Sequence, residues 1–466
     1  MCIRLEVFMS KILILASFIG SGHKKAAESI QSALRELEPG VETEIVNFFQ
    51  FTHPGIARAI SGFYFKLLHS NPKTWGYLYD PQEGKAKIAE MSGLQGLIKG
   101  IKVKRALEYA FDCGVESEIK SIVDGGPVNN EMGMKELLQM LGAKSEIAEK
   151  MYDEKNDKFR FPYSLIEDKL RLLRKLGGYF LFRMGELIVS YKPDAIVCTQ
   201  VFPCMFVAKL KEKKKINIPL IGVITDFGVH SYWTRPGVDA FISPCPEMSN
   251  ILLGRDIPGN AIYEYGIPIS RKFSLPKNKL ELCRKFGLNP ELFTVLFMGG
   301  GTGFCIDLLG TLKKYEEEKL PLQMILVAGE NEELKLEMEK MKEYMNMPFL
   351  VFGFVDNVDE MMAVSDLIVT KPGGLTIAES MVSSLPMVLV RVIQGQEDNN
   401  LKFLLAKGVG VYGGKGEKVW SIIRNFLKNP EKLEELKTKA EGLAYPDSAI
   451  NISKLILSFV VKKNQT

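Results

Sequence analysis

Two residues that could move a proton lie where predicted strands give way to helices. His23 stands at the start of the first predicted helix, and Asp226 ends a later apolar strand, Leu220–Thr225. The positive end of a helix dipole disfavours imidazolium, so we expect the His23 ring to stay neutral and able to accept a proton near pH 7. Asp226 would orient His23 or act as the base itself. A structural histidine and an aspartate that caps the next segment are the alternatives.

A glycine-rich turn is the first candidate site for an anion. Gly299–Gly303 follows the predicted strand Thr294–Met298 and precedes the predicted helix Cys305–Lys319. Glycine lets backbone N–H groups approach a phosphate closely, and the start of a helix attracts negative charge. A plain tight turn is the alternative. No Gly-Lys-Ser/Thr follows, so the turn is not a P-loop.

A second candidate anion site is the stretch Thr370–Ser380, TKPGGLTIAES, which follows another predicted strand. A helix is expected to start near Thr376, with Glu379 in its first turn. The N–H groups of Gly374 and Thr376 could hold a diphosphate, with Lys371 adding positive charge. Glu379 could accept hydrogen bonds from ribose hydroxyls. The alternative is a capping box formed by Thr376 and Glu379.

A polar cluster follows the predicted strand Met387–Val390. Its residues, Gln394–Asn400, offer the directional donors and acceptors that a sugar needs. A solvated loop with a helix N-cap explains the same pattern. Further on, Gly408, Gly410 and Gly413 match the dinucleotide pattern G-x-G-x-x-G, but they follow a predicted helix, Leu401–Lys407, and not a strand. We therefore interpret Gly408 as a helix C-cap and the match as accidental.

The sequence offers no pattern typical of a metal site. It contains no D-x-D motif and no histidine and carboxylate spacing that suits a metal ion. We therefore expect no metal cofactor, and we expect helix ends and backbone amides to meet any leaving-group charge. The 7 cysteines include no C-x-x-C pair, which predicts reduced thiols in a cytoplasm and no zinc site.

The elements that must position these residues alternate between apolar strands and amphipathic helices. A predicted β-α-β unit comprises Lys11–Ser17, His23–Leu37 and Val41–Val46, and a second series of strands and helices starts after Ser270. The other predicted strands, besides those already given, are Ala195–Thr199, Ala240–Ile242, Gln323–Ala328, Phe349–Phe352 and Leu367–Thr370. This rhythm is typical of doubly wound parallel sheets. The predicted fold class is α/β, with two Rossmann-like doubly wound domains facing a central cleft. Ligands are expected in that cleft, outside the carboxyl ends of the strands.

The length of 466 residues favours two or three domains. We place an N-terminal domain at 1–270, with a helix-rich insertion at about 82–165. A C-terminal domain follows at 271–450, and the final helix, 451–466, is expected to pack back on the first domain.

Two segments combine aromatic and basic residues in the manner of an interfacial membrane anchor. Arg58–Tyr79 mixes Phe, Tyr and Trp with basic side chains, and Leu97–Arg105 adds four more bases. Such segments are typical of attachment to anionic lipid, although core aromatics beside solvated lysines would give the same pattern. The candidate membrane or acceptor residues are Phe63, Tyr64, Phe65, Lys66, Trp75, Lys102 and Trp233.

Charge and hydropathy exclude some other classes of function. Lys and Arg number 60 against 56 Asp and Glu, a net charge of +4 that is too balanced to predict nucleic-acid binding through bulk charge. No apolar run reaches the ~18 to 20 residues of a membrane span, and Met1–Met9 lacks a signal-peptide pattern. We expect a cytoplasmic protein that is peripheral on the cytoplasmic face of a membrane.

Several of these motifs together resemble one known family. Ile12–Ser29 reads ILILASFIGSGHKKAAES, and the region from Gly299 to Tyr412 contains GGGTG, VFGFV, TKPGGLTIAES and GQEDNN. With TDFGVHSYW and Gly266-Ile-Pro268, these segments resemble the monogalactosyldiacylglycerol synthase and processive diacylglycerol glucosyltransferase family. They are more distantly similar to the N-acetylglucosaminyltransferase that makes the peptidoglycan lipid intermediate. The resemblance covers most of the chain except about 82–165.

The resemblance implies a GT-B glycosyltransferase that is inverting and independent of metal. It would move a hexose from a UDP-sugar to the free hydroxyl of diacylglycerol at a membrane surface. By position, Phe354 and Val355 would face the uracil and Glu379 the ribose, while His23 and Asp226 would be the catalytic pair. Gly300, Gly301, Gly374 and Thr376 would hold the diphosphate, and Gln396, Glu397 and Asn400 would contact the hexose. The other expected donor-binding residues are Thr302, Gly303, Lys371 and Gly373.

Two other functions fit the same layout. A UDP-sugar 2-epimerase shares the two-Rossmann architecture and would need no lipid surface. A non-catalytic protein that binds nucleotide sugars or lipids would keep the fold without the chemistry. For the glycosyltransferase, the expected partners are a UDP-hexose, diacylglycerol or a related lipid, and an anionic membrane surface, with no nucleic acid.

Overall fold

A computed structural model describes residues 10–17, 21–52, 152–153, 158–159, 166–299, 308–390, 396–414 and 416–465. Most of the predicted insertion at 82–165 and both aromatic and basic segments lie outside these residues, as does the turn Gly300–Gly303. The described strands, in chain order, are β1 (Lys11–Ala16), β2 (Glu42–Asn47), β3 (Tyr152–Asp153), β4 (Lys158–Phe159), β5 (Ala195–Cys198), β6 (Leu220–Val223), β7 (Ala240–Ser243), β8 (Ile262–Glu264), β9 (Phe293–Met298), β10 (Leu322–Val327), β11 (Phe349–Phe352), β12 (Leu367–Thr370), β13 (Met387–Val390) and β14 (Gly410–Gly414).

The described helices connect these strands and cover the sheets. Several of them, such as Ser21–Leu37, bury one apolar stripe and leave the opposite face to solvent. The described helices are α1 (Ser21–Leu37), α2 (Phe48–Thr52), α3 (Ile166–Tyr191), α4 (Val201–Glu212), α5 (Pro246–Leu253), α6 (Lys279–Phe286), α7 (Leu308–Glu318), α8 (Glu332–Lys342), α9 (Val358–Val364), α10 (Gly374–Val382), α11 (Gln396–Lys407), α12 (Gly416–Lys428), α13 (Pro430–Glu441) and α14 (Ser448–Gln465).

The first sheet has six strands in the order β2-β1-β5-β6-β7-β8. Its central strand β1 is fully buried from Ile12 to Ala16, because helices cover both faces of a parallel sheet. In register, Lys11 lies beside Glu42, and Ile12 lies beside Ala195. The order reverses direction between β1 and β5, so the loops that follow these two strands diverge there.

The second sheet also has six strands, in the order β11-β10-β9-β12-β13-β14. Its core contains Phe297 and Phe349 from the strands, and Trp420 from α12 packs edge-to-face against Tyr315 of α7 at 6.2 Å between ring centroids. This order reverses between β9 and β12. The two sheets and their helices confirm the predicted pair of Rossmann-like folds.

The apolar runs predict ten of the twelve strands of the two sheets and miss two of the four edge strands. Ten strands expected from the sequence are present with ends within two residues of their predicted limits. The edge strands β8 and β14 were not predicted. β8 has three residues, and β14 reads Gly-Val-Tyr-Gly-Gly, so neither presents an apolar run. Between β13 and β14, Gly408 ends α11 with φ of +64°, which confirms its prediction as a C-cap.

The chain divides into two compact units. The first comprises the described parts of Met1–Ile19, Glu42–Gly222 and His230–Asp239. The second unit comprises the described parts of Gly20–Val41, Val223–Val229 and Ala240–Thr466. The predicted domain limits near residues 270 and 450 stay predictions.

Within the second unit, α1 packs along α14, although the two helices are far apart in sequence. Ile452, Ile456 and Val460 of α14 are buried, and the hydroxyl of Ser453 donates to the carbonyl oxygen of Ile30 at 3.3 Å. Residues from near the start of the chain therefore share one core with the last described helix.

Among the described residues, no helix is both long enough and apolar enough to cross a bilayer.

Candidate functional site

The reversal in the second sheet brings the carboxyl ends of β9 and β12 together at one edge. β9 and β12 are parallel neighbours, with Met298 beside Thr370 at their carboxyl ends. The Thr370 hydroxyl donates to the carbonyl oxygen of Met298 at 2.6 Å. Ligands of open α/β sheets bind beside such a reversal, so the turn at Lys371–Gly373 lies where a ligand is expected. The turn after Met298 continues into Gly300–Gly303, outside the described residues.

Helix α10 starts earlier than the sequence predicts. Gly373 is its N-cap residue and makes no side-chain cap hydrogen bond, and the helix begins at Gly374. Thr376 is therefore inside the first turn, and Glu379 lies in the second. The capping box proposed for Thr376 and Glu379 is wrong, because a box needs Thr376 at the N-cap position. Gly373 and Gly374 therefore form the start of the helix without a side-chain cap.

Gly374 is in close contact with the segment that contains Asp226. A Cβ atom added at Gly374 would overlap the carbonyl oxygen of Thr225 and would lie 3.0 Å from Oδ1 of Asp226. Only glycine fits at this position, because any side chain would have to displace backbone. The start of α10 therefore lies directly against Thr225 and Asp226, and all three residues belong to the second unit.

Asn400 connects the Asp226 segment to the turn before α10. Its amide nitrogen donates to Oδ1 of Asp226 at 3.1 Å and to the carbonyl oxygen of Pro372 at 2.9 Å. Its amide oxygen accepts from the N–H of Phe227 at 2.7 Å. Asn400 has no exposed surface, and both of its amide hydrogens have acceptors in the protein. A direct contact between Asn400 and a hexose stays a prediction.

Helix α11 packs along the same segment. The rings of Phe227 and Phe403 stack at 4.4 Å between centroids, with 11° between their planes. A Cβ atom at Gly228 would approach Asn399 of α11 to 3.0 Å. Residues 225–228 are thus held by contacts with both α10 and α11.

The structure brings His23 to Thr225. Nδ1 of His23 lies 3.0 Å from the hydroxyl oxygen of Thr225. The start of α1 also packs on α10, because a Cβ atom at Gly22 would contact Cβ of Leu375 at 3.9 Å. Thr225 precedes Asp226, so the two predicted catalytic residues lie close together in the second unit. Their roles stay predictions.

Glu379 has a strongly perturbed carboxyl group. Burial raises the pKa of Glu379 to about 8, because a desolvated carboxylate is less stable than the neutral acid. The positive charges of Lys25 and Lys272 act in the opposite direction, and the negative charge of Asp359 adds to the rise. A group that titrates near neutral pH beside a candidate ligand turn is typical of a binding or catalytic site.

Lys371 and Glu397, both predicted to contact the donor, form an ion pair with each other. Nζ of Lys371 lies 3.0 Å from Oε1 of Glu397, and the Glu397 side chain is 7% exposed. The pair joins the turn before α10 to the first turn of α11. A buried charge is stable only when it is paired, so this contact holds Lys371 at the edge of the sheet.

Phe354 and Val355 lie in the loop that follows β11. Phe354 is 54% exposed, so its ring is accessible to a ligand. This exposure is compatible with the predicted contact to a flat base, which stays a prediction.

Some predicted residues cannot be placed at the site. Gly300, Gly301, Thr302 and Gly303 lie outside the described residues, and the side chain of Gln396 is not described. The candidate membrane residues that also lie outside are Phe63, Tyr64, Phe65, Lys66, Trp75 and Lys102. Trp233 is described and is 5% exposed, with its ring packed on Gly222. It has almost no surface to offer a bilayer, and a role toward the acceptor stays a prediction.

Thr225 is the residue at this site that the sequence analysis missed. Its only sequence signal is its place at the end of an apolar strand, directly before Asp226. Within the described ranges, no group of three or more His, Cys, Asp or Glu side chains is arranged to hold a metal ion.

Two family models match the chain. Residues 140–269 match the model described as monogalactosyldiacylglycerol (MGDG) synthase. Residues 294–452 match the model described as the glycosyltransferase family 28 C-terminal domain. The second match contains Lys371, Glu379 and Asn400, and the first contains Asp226.

Curated relatives agree with these matches. A processive diacylglycerol beta-glucosyltransferase from Bacillus cytotoxicus is 30% identical over 278 residues, which cover 59% of this chain and 70% of the relative. A protein of the same name from Bacillus mycoides is 30% identical over 279 residues, with the same shares of both chains.

Solved structures share the fold. MurG from Acinetobacter baumannii superposes with a TM-score of 0.53 at 14% identity, covering 97% of this chain and 99% of the other. A putative UDP-N-acetylglucosamine 2-epimerase from Listeria monocytogenes superposes with a TM-score of 0.50 at 11% identity, covering 95% of each chain. At these identities the likeness concerns the fold alone, and it confirms the two-Rossmann architecture.

Proposed function

The chain belongs to the monogalactosyldiacylglycerol synthase and processive diacylglycerol glucosyltransferase family, and from this premise we propose that it transfers a hexose from a UDP-sugar to the hydroxyl of diacylglycerol. The proposed reaction is inverting, needs no metal ion and takes place at an anionic membrane surface. The curated relatives are named as diacylglycerol glucosyltransferases, which supports this donor and acceptor class.

The observation that carries the proposal is the cluster formed by His23, Thr225, Asp226 and the start of α10. A candidate base lies beside a helix start that has no side-chain cap. A transferase of this kind needs both features close together, since one takes the acceptor proton while the other meets the charge on the leaving diphosphate.

The proposed chemistry is a single displacement at the anomeric carbon. The acceptor hydroxyl loses its proton to His23, or to Asp226 with His23, as its oxygen bonds to the anomeric carbon. The bond between that carbon and the diphosphate oxygen breaks, and its electron pair leaves with UDP. Backbone N–H groups at the start of α10 and the charge of Lys371 stabilise the departing diphosphate.

The nucleoside end of the donor fits the remaining residues. Phe354 offers an exposed ring for the uracil, and the Glu379 carboxylate accepts hydrogen bonds from the ribose. Glu397 carries the charge that keeps Lys371 in place, and it lies at the start of α11 with Gln396. We assign the hexose to this end of α11.

The test is a transfer assay on the full chain. Each radiolabelled UDP-hexose is incubated with liposomes that contain diacylglycerol and an anionic lipid, in the presence of EDTA, and the lipid products are resolved by chromatography. We expect label in a glycolipid with EDTA present. We also expect His23→Ala to lower kcat by roughly 100-fold or more while the affinity for UDP barely changes.

Ser32→Ala is the matched control, because Ser32 is an exposed residue of the same helix. Its kcat should equal that of the unaltered chain. Conversion of free UDP-sugar without lipid would select the epimerase, and binding of UDP-sugar without any product would select a non-catalytic protein. Transfer that stops with EDTA would reject metal independence.

A further inference from the structure

The hydrogen bond between His23 and Thr225 has a consequence for the chemistry of the imidazole ring. A neutral histidine carries one N–H, and the nitrogen without a proton is the one that can act as a base. Which nitrogen is protonated depends on the hydrogen bond that the other makes. Because Nδ1 lies 3.0 Å from the Thr225 hydroxyl oxygen, this contact bears directly on the tautomer.

Thr225 is well placed to hold the ring in one orientation. It is 7% exposed, and its carbonyl oxygen lies against Gly374, where even a methyl group would not fit. On one side, Ile224 donates its N–H to the carbonyl oxygen of Ile242 at 3.1 Å. On the other side, Phe227 donates its N–H to the amide oxygen of Asn400 at 2.7 Å. The backbone that carries the hydroxyl is therefore fixed before and after Thr225.

We propose that Thr225 is a positioning residue that accepts a hydrogen bond from Nδ1–H of His23, so that Nε2 is the nitrogen that takes the acceptor proton. This inference rests on the proposed function, in which His23 is the base. As the acceptor oxygen bonds to the anomeric carbon, its proton moves to Nε2 and the electron pair of the broken bond leaves with UDP. The ring becomes imidazolium, and its bond to Thr225 becomes charge-assisted.

Charge-assisted hydrogen bonds are roughly twice as strong as neutral ones. The Thr225 contact therefore strengthens as positive charge develops on His23, which occurs in the transition state and not in the complex with bound substrate. An interaction of this kind contributes to kcat and leaves KM nearly unchanged. Thr225→Val keeps the shape of the side chain and removes the hydroxyl, while Thr225→Ser keeps the hydroxyl.

The experiment measures kcat and the KM for UDP-sugar in the transfer assay. For Thr225→Val we expect kcat to fall by about 10-fold, because the loss of one hydrogen bond raises the activation free energy by roughly 1 to 1.5 kcal/mol. We expect KM to change by less than about two-fold. Thr225→Ser should recover most of the activity. Thr294→Val is the matched control, because Thr294 is 1% exposed, its hydroxyl accepts a bond from Gln323, and it lies near the start of β9, at the end of that strand away from the candidate site. Its kcat should be unchanged.

A second measurement reads the tautomer without the reaction. In protein labelled with ¹⁵N-histidine at about pH 8.5, two-dimensional NMR distinguishes a ring protonated on Nδ1 from one protonated on Nε2, and His23→Ala identifies the His23 signal. We expect the Nδ1-protonated form in the unaltered chain and in Thr225→Ser, and the loss of that preference in Thr225→Val.

The outcomes separate this inference from the proposed function. Unchanged kcat in Thr225→Val, an equal loss in Thr225→Ser, or the same loss in Thr294→Val would overturn the positioning role. An Nε2-protonated ring in the unaltered chain would also overturn it. Absence of transfer from every UDP-hexose, with the Nδ1-protonated form present, would reject the proposed function and leave the hydrogen bond established.

Discussion

At the scale of single residues, the proposed role of Glu379 as a hydrogen-bond acceptor conflicts with its raised pKa. As a carboxylate it can accept hydrogen bonds from a ribose, but burial raises its pKa to about 8. Lys25 and Lys272 favour the ionised form without restoring the ordinary pKa of 4.5. Near neutral pH, the folded chain therefore holds a proton on Glu379 that the unfolded chain has released.

This difference predicts how stability depends on pH. Between about pH 4.5 and pH 8 the folded state binds one more proton at Glu379 than the unfolded state does, so this residue makes stability fall as pH rises through that window. Glu379→Gln removes the group, and its stability relative to the unaltered chain should increase from pH 5 to pH 8 and then level off. The measurement is the free energy of unfolding from urea titrations at pH 5, 6, 7, 8 and 9.

Glu333→Gln is the control for the Glu379 prediction. Glu333 is an exposed residue of α8 in the same unit. The plot of its free energy of unfolding against pH should run parallel to that of the unaltered chain. Parallel curves for Glu379→Gln as well would show that the carboxyl group titrates alike in the folded and unfolded states, contrary to the prediction.

Sequence reasoning located most residues of the candidate site but could not find their partners. His23, Asp226, Lys371 and Glu379 were identified from their places at strand and helix ends. The pairing of Lys371 with Glu397 and the contact of Thr225 with His23 join residues that are distant in sequence. No local pattern encodes such pairs, because they depend on how the strands are ordered in the sheet.

At the scale of elements, the segment 225–228 acts as a shared support for three helices. Asn400 of α11 and Gly374 of α10 both contact it, and His23 of α1 bonds to Thr225. Asn400 makes three hydrogen bonds in a fully buried place, to Asp226, Phe227 and Pro372. Polar groups in such a place are costly when they lose their partners.

Asn400→Ala is therefore expected to destabilise the chain by about 3 kcal/mol, since an unsatisfied buried polar group costs roughly 1 to 3 kcal/mol and three groups lose a partner. Asn400→Asp should be at least as harmful, because it sets a second carboxylate beside Asp226. Urea unfolding at pH 7 measures both changes.

The neighbouring Asn399 offers a matched control. It is partly exposed and contacts Gly228 through its side chain. Asn399→Ala should cost less than about 1 kcal/mol. Equal losses at the two positions would mean that the hydrogen bonds of Asn400 contribute little beyond the packing of α11.

The limits of helices were harder to predict than those of strands. Strands follow from apolar runs, but α10 begins at Gly374 and α11 at Gln396, ahead of the expected starts at Thr376 and Leu401. In both cases the first residues of the helix are glycine or polar residues, which the sequence pattern assigns to a loop. Contacts with segment 225–228 outweigh that local preference, as tertiary packing often does.

At the scale of the whole molecule, α1 and α14 pack against each other within the second unit. The membership of α1 in this unit could not be predicted from a β-α-β pattern, which assigns α1 to the domain of β1. It follows from the apolar stripe of α14, whose Ile452, Ile456 and Val460 are buried. That the final helix, 451–466, packs back on the N-terminal domain at 1–270 stays a prediction.

Ile456→Ala tests this packing. Ile456 has no exposed surface, so truncation leaves a cavity and should destabilise the chain by about 2 to 5 kcal/mol. Val461→Ala is the control in the same helix, because Val461 is 55% exposed and should cost less than about 0.5 kcal/mol. Thermal unfolding and urea titration of both variants give the comparison. Similar small losses in both would show that α14 contributes little to the core.

The pairing of α1 with α14 also constrains when the chain can finish folding during its synthesis. About 410 residues separate the end of α1 from the start of α14. At roughly 5 to 20 residues per second, a ribosome needs on the order of 20 to 80 s to supply the partner of α1. Throughout that interval the side of α1 that packs on α14 lacks this partner, whereas the side that packs on α10 can be covered earlier. The contact of α1 with α14 can therefore form only after the strands of both sheets have been synthesised.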